Sequence, residues 1–335
     1  MRRGLVSVLA LTLAVACGQA VDEPGLGTLE QPIYGGIESD ESDDSAVFVL
    51  STPPNGDHQQ CTGTLIAPNL VATALHCITV SETGTFSCAA DGSISGATAA
   101  DGRIGALVLP EDVAIRVGAV VVGKAPAAFG ARLFGTGSNQ VCRNDIGFIL
   151  LDRDVDAPLA KVRLSGKMLS GSTVRIVGYG EREVSPTERR YARNGLRVVD
   201  VGPESDSEPS ISASPRTFVV TEGPCHGDSG GPAFSEETGA LLGVYSLTAG
   251  ESCAGVGIRN VYTTLAPFSA LALEAFAAAG AEPLLEELEP EPTSPPLVAE
   301  SGCALQATTA ASSTPSLLAL AGLALGLASR RRRRA

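Results

Sequence analysis

From Ile33 to about Gly280 the chain alternates short apolar, β-branched runs with clusters of Gly, Pro, Asn, Asp and Ser. Ala46 to Ser51, Gly63 to Ile66, Leu70 to Thr73, Ala114 to Val122, Gly147 to Leu151, Thr173 to Val177, Gly195 to Val201, Thr217 to Val220 and Leu241 to Ser246 predict strands. One stretch carries a helix pattern, the alanine- and leucine-rich Thr264 to Ala279, closed by Gly280. Many short strands with one terminal helix point to antiparallel sheets closed into barrels, because closure removes exposed edges. No internal repeat is visible in the motifs.

The two ends read differently from this middle. Arg2 and Arg3 followed by the apolar Leu5 to Ala16 and then small residues predict an export signal over residues 1–20. Ala14-Val15-Ala16-Cys17-Gly18 also resembles a bacterial lipobox, so lipidation at Cys17 and plain cleavage near Ala16 or Ala20 both stay open. Residues 21–32 then form a short propeptide. Residues 281–302 are rich in Pro and Glu, a composition expected to stay extended and solvated. Cys303 opens the terminal segment 303–335, in which the apolar run Leu317 to Ala328 falls short of the ~20 residues that span a bilayer. With Gly302-Cys303 before that run and Arg330 to Arg334 after it, the tail resembles the myxobacterial C-terminal sorting signal. That resemblance implies sorting machinery acting near Cys303, lipidation there, and display on the outer membrane or release. An uncleaved tail anchor is the alternative.

Composition narrows the function classes. A formal net charge of −13 argues against a nucleic-acid partner, which needs a basic surface. Hydrophobic residues at 44% suffice for a sizeable core in residues 33–280. Among the 8 cysteines, Cys17 and Cys303 sit in sorting motifs, leaving Cys61, Cys77, Cys88, Cys142, Cys225 and Cys253 to pair in an exported protein. The acidic run Asp40-Glu41-Ser42-Asp43-Asp44 lacks the alternation of a calcium loop and reads as a solvated turn. Neither a metal nor a cofactor is expected.

The candidate chemistry centres on Gly227-Asp228-Ser229-Gly230-Gly231, a serine framed by glycines. A serine becomes a useful nucleophile when a base takes its proton and donors stabilise the oxyanion that forms. The motif also fits the G-x-S-x-G of α/β-hydrolases, whose triad runs Ser, Asp, His along the chain. The 3 histidines are His58, His76 and His226, and none follows Ser229, so that order is impossible. The order His, Asp, Ser survives, with His76 as base. His226 reads as an exposed residue at a pocket rim and His58 as a loop residue.

Three motifs then stand in this order. Ala72-Thr73-Ala74-Leu75-His76-Cys77, Asn144-Asp145-Ile146-Gly147-Phe148-Ile149-Leu150-Leu151 and Cys225-His226-Gly227-Asp228-Ser229-Gly230-Gly231-Pro232 resemble those of the chymotrypsin/trypsin-like serine proteases, and the resemblance runs from Ile33 to the terminal helix. It implies an all-β fold of two packed six-stranded antiparallel barrels with a C-terminal helix. It implies a secreted or surface-anchored endopeptidase with His76, Asp145 and Ser229 as triad, the N–H groups of Gly227 and Ser229 as oxyanion hole, and protein or peptide substrates. Cys61 with Cys77 and Cys225 with Cys253 match family disulfides, which leaves Cys88 with Cys142. Ile33-Tyr34-Gly35-Gly36 resembles the start of the mature enzymes, where a freed ammonium, here of Ile33, pairs with the aspartate before the nucleophile, here Asp228. Pro32 stands where the family's precursors carry Arg or Lys, so another protease is expected to cut before Ile33. Gly223, Ser246, Thr248 and Asn260 match positions around the substrate pocket. Gly223 stands where trypsin-like members carry an acid, and bulk at Thr248 and Asn260 implies small or medium uncharged side chains at the cleaved residue. The alternative reading is a catalytically silent relative that serves in binding or adhesion.

Overall fold

The computed structural model describes residues 33–287 apart from 54–55, 57, 82–85, 97, 99–100, 181–187, 209, 211, 222 and 250–257. The export signal, the possible lipobox at Cys17, the propeptide, Cys253, Cys303 and the tail lie outside the described residues.

Two closed barrels form the domain. The first comprises β1 (Ala46–Ser51), β2 (Gln59–Ala67), β3 (Leu70–Thr73), β4 (Val113–Arg116), β5 (Ala128–Gly135) and β6 (Gly147–Leu151), paired in the order β1-β2-β3-β6-β5-β4. The second comprises β7 (Thr173–Gly178), β8 (Tyr191–Val201), β9 (Thr217–Val220), β10 (Pro232–Ser235), β11 (Leu241–Ala249) and β12 (Arg259–Thr264), paired as β7-β8-β9-β12-β11-β10. All these pairings are antiparallel, and the two barrels share one strand order, a repeat of topology that the motifs do not reveal. Closure leaves neither barrel with an unpaired edge.

Differences from the expected elements have local causes. The strand expected to run on to Val122 stops at Arg116, and β5, interrupted by Gly130, was not expected. Strand β10 opens with Pro232, which a strand tolerates at its first position because no ladder N–H is needed there. The helix begins at Ser269 rather than Thr264. Residues to Thr264 are held in β12, paired to both β9 and β11, and Pro267 sits in a 3-10 turn ahead of the helix. Gly280, at φ 66°, ends the helix in the left-handed region that suits glycine.

Among the described residues four apolar clusters form, the smallest of Phe48, Val121 and Tyr179. Val47, Leu65, Val71, Ile115 and Ile149 fill the first barrel, and Val174, Val198, Phe218, Leu242 and Tyr262 fill the second. Between them Ile66, Phe148, Val162, Phe234 and Val244 form a seam, capped by Ala272, Ala275 and Phe276 of the helix.

Charged residues are more embedded than the composition suggested. The acidic run is not simply solvated: Asp43 pairs with Arg175, and Asp44 lies 2.7 Å from Arg190. Arg190 is buried and also donates to Ser39 Oγ at 2.8 Å and to the Ala46 carbonyl at 2.9 Å, tying the segment after Ile33 to the body of the domain. The segment after the helix stays docked rather than leaving at Gly280. The Val162 N–H donates to the Leu284 carbonyl at 2.7 Å, and Glu286 accepts both guanidinium arms of Arg163 and the Thr238 hydroxyl. Replacing Glu286 by Ala leaves Arg163 without these bonds and is expected to lower the unfolding free energy by about 2 kcal/mol, read as a lower urea midpoint.

Candidate active site

Strand register brings the histidine and the aspartate together. Thr73, the last residue of β3, pairs with Gly147, the first of β6. His76, in the 3-10 turn Leu75–Ile78, and Asp145 each lie a few residues beyond that paired end, so little chain separates them. Asp145 is fully buried and its oxygens are well occupied. Oδ1 accepts the His76 backbone N–H at 2.8 Å, and Oδ2 lies 2.7 Å from His76 Nδ1 and accepts the Ser246 hydroxyl at 2.6 Å. Burial pulls the His76 pKa down, but the charge and hydrogen bond of Asp145 outweigh it, and the net shift is upward.

The serine arrives from the second barrel on a loop anchored to the first. Thr62 of β2 donates its N–H to the Ser229 carbonyl at 2.7 Å and its hydroxyl to the Gly227 carbonyl at 3.1 Å. The same hydroxyl accepts the Tyr179 N–H at 3.0 Å. Gly230 permits this approach: its φ is +78°, and a Cβ there would lie 2.1 Å from Thr73 Oγ1 and 2.3 Å from the Thr62 carbonyl. The loop is held by the N–H groups of Asp228, Gly230 and Gly231, which bond to Cys225, Tyr245 and Asp228 carbonyls. The N–H groups of Gly227 and Ser229 have no described acceptor.

Asp228 is buried under the pair Gly178 and Gly180. A Cβ on either would come within 2.0 Å or 2.5 Å of its carboxylate. Oδ1 accepts the Gly180 N–H at 2.7 Å and Oδ2 the Cys225 N–H at 2.9 Å. Burial, only partly offset by these two bonds, pushes its pKa up to about 7. Ile33 is buried too, and the next residue, Tyr34, donates its N–H to the Gly223 carbonyl at 2.7 Å on the loop that leads to Asp228.

Disulfides brace this region. Cys61 is bonded to Cys77 beside His76, and Cys88 to Cys142 in the turn before Asp145. Cys225 is also disulfide-bonded, while Cys253, the partner expected for it, lies outside the described residues. Cys61, His76 and Cys77 bring three possible metal-ligating atoms within 4.8 Å, yet the two sulfurs are joined to each other and offer no thiolate.

Of the residues expected around the pocket, Ser246 reaches Asp145 as described. Thr248 and Asn260 are register partners on β11 and β12, and the Thr248 hydroxyl donates to Asn260 Oδ1 at 2.8 Å. Gly223 is buried at φ +134°, and a Cβ there would meet Ile176 and Leu196 of the second core. His226 is exposed, and His58 is an exposed loop residue 3.1 Å from Thr52 Oγ1. The reading of the sequence missed Thr62, Gly178 and Gly180. The spaced glycines around Tyr179 were the available signal for the last two; Thr62 had none. A cleft of about 700 Å³ lined by Asp43, Lys161, Arg175, Asn194, Phe234 and Glu236 shares no residue with this site.

The sequence matches the family model described as Trypsin over residues 33–272. The chain belongs to the trypsin family. Similar solved structures include the scabies mite inactivated protease paralogue S-I1, with 18% identity, a TM-score of 0.52, and coverage of 72% of this chain and 99% of that chain. The human heparin binding protein is 18% identical with a TM-score of 0.50, covering 74% of this chain and 99% of its own. HL collagenase is 17% identical with a TM-score of 0.51, covering 74% and 98%. These likenesses show the fold alone.

A buried carboxyl with a raised pKa makes the folded trypsin-family domain bind a proton more tightly than the unfolded chain does. The stability contributed by Asp228 is therefore complete below about pH 4 and is lost as pH rises through about 7. In a precursor that retains Pro32 and carries Ser229→Ala, that loss is expected to be about 4 kcal/mol between these limits. Urea unfolding across pH should show it, and Asp228→Asn should flatten the slope.

Proposed function

We propose that the chain is an exported serine endopeptidase that cleaves peptide bonds through an acyl-enzyme, with Ser229 as nucleophile, His76 as general base and acid, and Asp145 as the group that orients the imidazole. The observation that carries this reading is the bonding of buried Asp145 to His76 from one barrel and Ser246 from the other, beside the loop of Ser229. In the reaction known for the family's triad, Ser229 Oγ bonds to the scissile carbonyl carbon as its proton passes to His76 Nε2. The carbonyl electron pair moves to the oxygen, which the N–H groups of Gly227 and Ser229 would stabilise, each worth about 3 kcal/mol in comparable sites. Collapse expels the amine with the proton from His76. Water then repeats the sequence, giving its proton to His76 and releasing the acid as Ser229 regains a hydrogen.

Activation follows from the second carboxylate. A protease that does not depend on a basic residue cuts between Pro32 and Ile33, and the freed ammonium pairs with Asp228, ordering the oxyanion loop. A preference for Lys or Arg is disfavoured, since no acid stands at Gly223. The mature enzyme is carried to the cell surface or released, with Cys17 and Cys303 as the lipidation candidates.

A fluorophosphonate probe tests the chemistry. The chain with a free Ile33 terminus should be labelled, and Ser229→Ala should not. The labelling rate should rise with pH through a midpoint above the ordinary histidine value, because the raised His76 pKa delays formation of the neutral base. Asp145→Asn should lower the rate by about 10⁴-fold and move the midpoint down. Failure of the free-Ile33 chain to label would favour the silent binding protein instead.

A further inference from the structure

The residue directly beneath the nucleophile loop is Tyr245. Its N–H donates to the Gly231 carbonyl at 2.8 Å and its carbonyl accepts the Gly230 N–H at 2.7 Å, so its Cα is fixed beside the two glycines that follow Ser229. The next residue, Ser246, turns the other way to reach Asp145.

A bulge decides where the Tyr245 ring goes. Residues an odd number apart on a regular strand face opposite sides. Between Tyr245 and Leu247 the β11 register shifts against Tyr262 and Val261, and the extra residue lets Tyr245 and Thr248 meet. The Tyr245 hydroxyl is hydrogen-bonded to Thr248 Oγ1, which donates to Asn260 Oδ1. The ring is 3% exposed and lies 5.4 Å from Tyr262, itself stacked at 5.2 Å on Phe218. Moving the ring would break the Tyr245–Thr248 hydrogen bond and leave the buried phenol without that partner.

The ring thus lies in the second apolar core against Tyr262, and its hydroxyl reaches Thr248 and through it Asn260, the two positions matched to the pocket walls. With Thr248 and Asn260 bordering the pocket, as the family resemblance implies, the side chain of the cleaved residue would be sent toward the same place. We propose that Tyr245 plugs the substrate pocket and limits the cleaved residue to the size of glycine or alanine. This rests on the endopeptidase reading and sharpens it, because Thr248 and Asn260 alone would still admit a medium side chain.

The test uses the full chain with a free Ile33 terminus and a peptide library that varies only the cleaved residue. The wild type should prefer Gly or Ala over Leu and Phe, and Tyr245→Val should raise kcat/KM for Leu relative to Ala by at least about tenfold, the scale on which apolar pockets discriminate size. Tyr245→Phe keeps the ring and should keep the preference. Equal cleavage after Ala and Leu by the wild type would overturn the proposal, a result that does not require the Val variant to fold. Fluorophosphonate labelling with an unchanged preference in Tyr245→Val would overturn the plug alone, whereas no labelling of the wild type would overturn the endopeptidase reading and the plug with it.

Discussion

The site depends on one buried carboxylate that both barrels must satisfy. Asp145 has no exposure to solvent, so its oxygens need donors from the protein. The His76 backbone and imidazole supply two from the first barrel, and Ser246 supplies one from the second. Neither barrel can complete this arrangement alone. The seam of Phe148, Val162, Phe234 and Val244 brings the barrels together apolar face to apolar face, and the Asp145 bonds set their alignment at the site. Position and polarity are thus supplied by different parts of the interface.

Backbone space is the second constraint. The Ser229 loop can approach β2 and β3 because Gly230 has no Cβ to strike Thr73 and Thr62. Asp228 can lie over residues 178–180 because Gly178 and Gly180 leave room for its carboxylate. The glycines around the serine therefore do two jobs: they shape the turn, and they let a loop from one barrel be hydrogen-bonded by a strand of the other. Beside this tightly fitted loop buried Tyr245 bonds through its backbone to Gly230 and Gly231, so the loop is held from the second barrel as well.

Much of this was legible in the order of residues along the chain. Candidate nucleophile, base and acid each sit in a short contiguous motif, because each needs a particular backbone path on either side of it, and such paths leave local signatures. The absence of any histidine after Ser229 ruled out one hydrolase topology without a structure. Strands with strong apolar runs, such as β1, β3, β6 and β9, matched their expected bounds. Strands β5, β10 and β12 were missed, since glycine, an initial proline and an adjacent helical composition hide them. Their pairing is decided by neighbours distant in sequence, and a residue's own propensity carries little of it.

What the sequence by itself determined is the family and the all-β class, and it singled out His76, Asp145 and Ser229 as candidates, because these are properties of residue type and local order. Only the tertiary structure decided that Thr62 would anchor the Ser229 loop, that Asp43 and Asp44 would be ion-paired, and that residues 281–287 would stay docked through Glu286. Only the bulge in β11 decided that Tyr245 would turn toward Thr248. The physical reason is common to all of these: each depends on which strands lie side by side and in what register, and a shift of one residue in register sends a side chain to the opposite face.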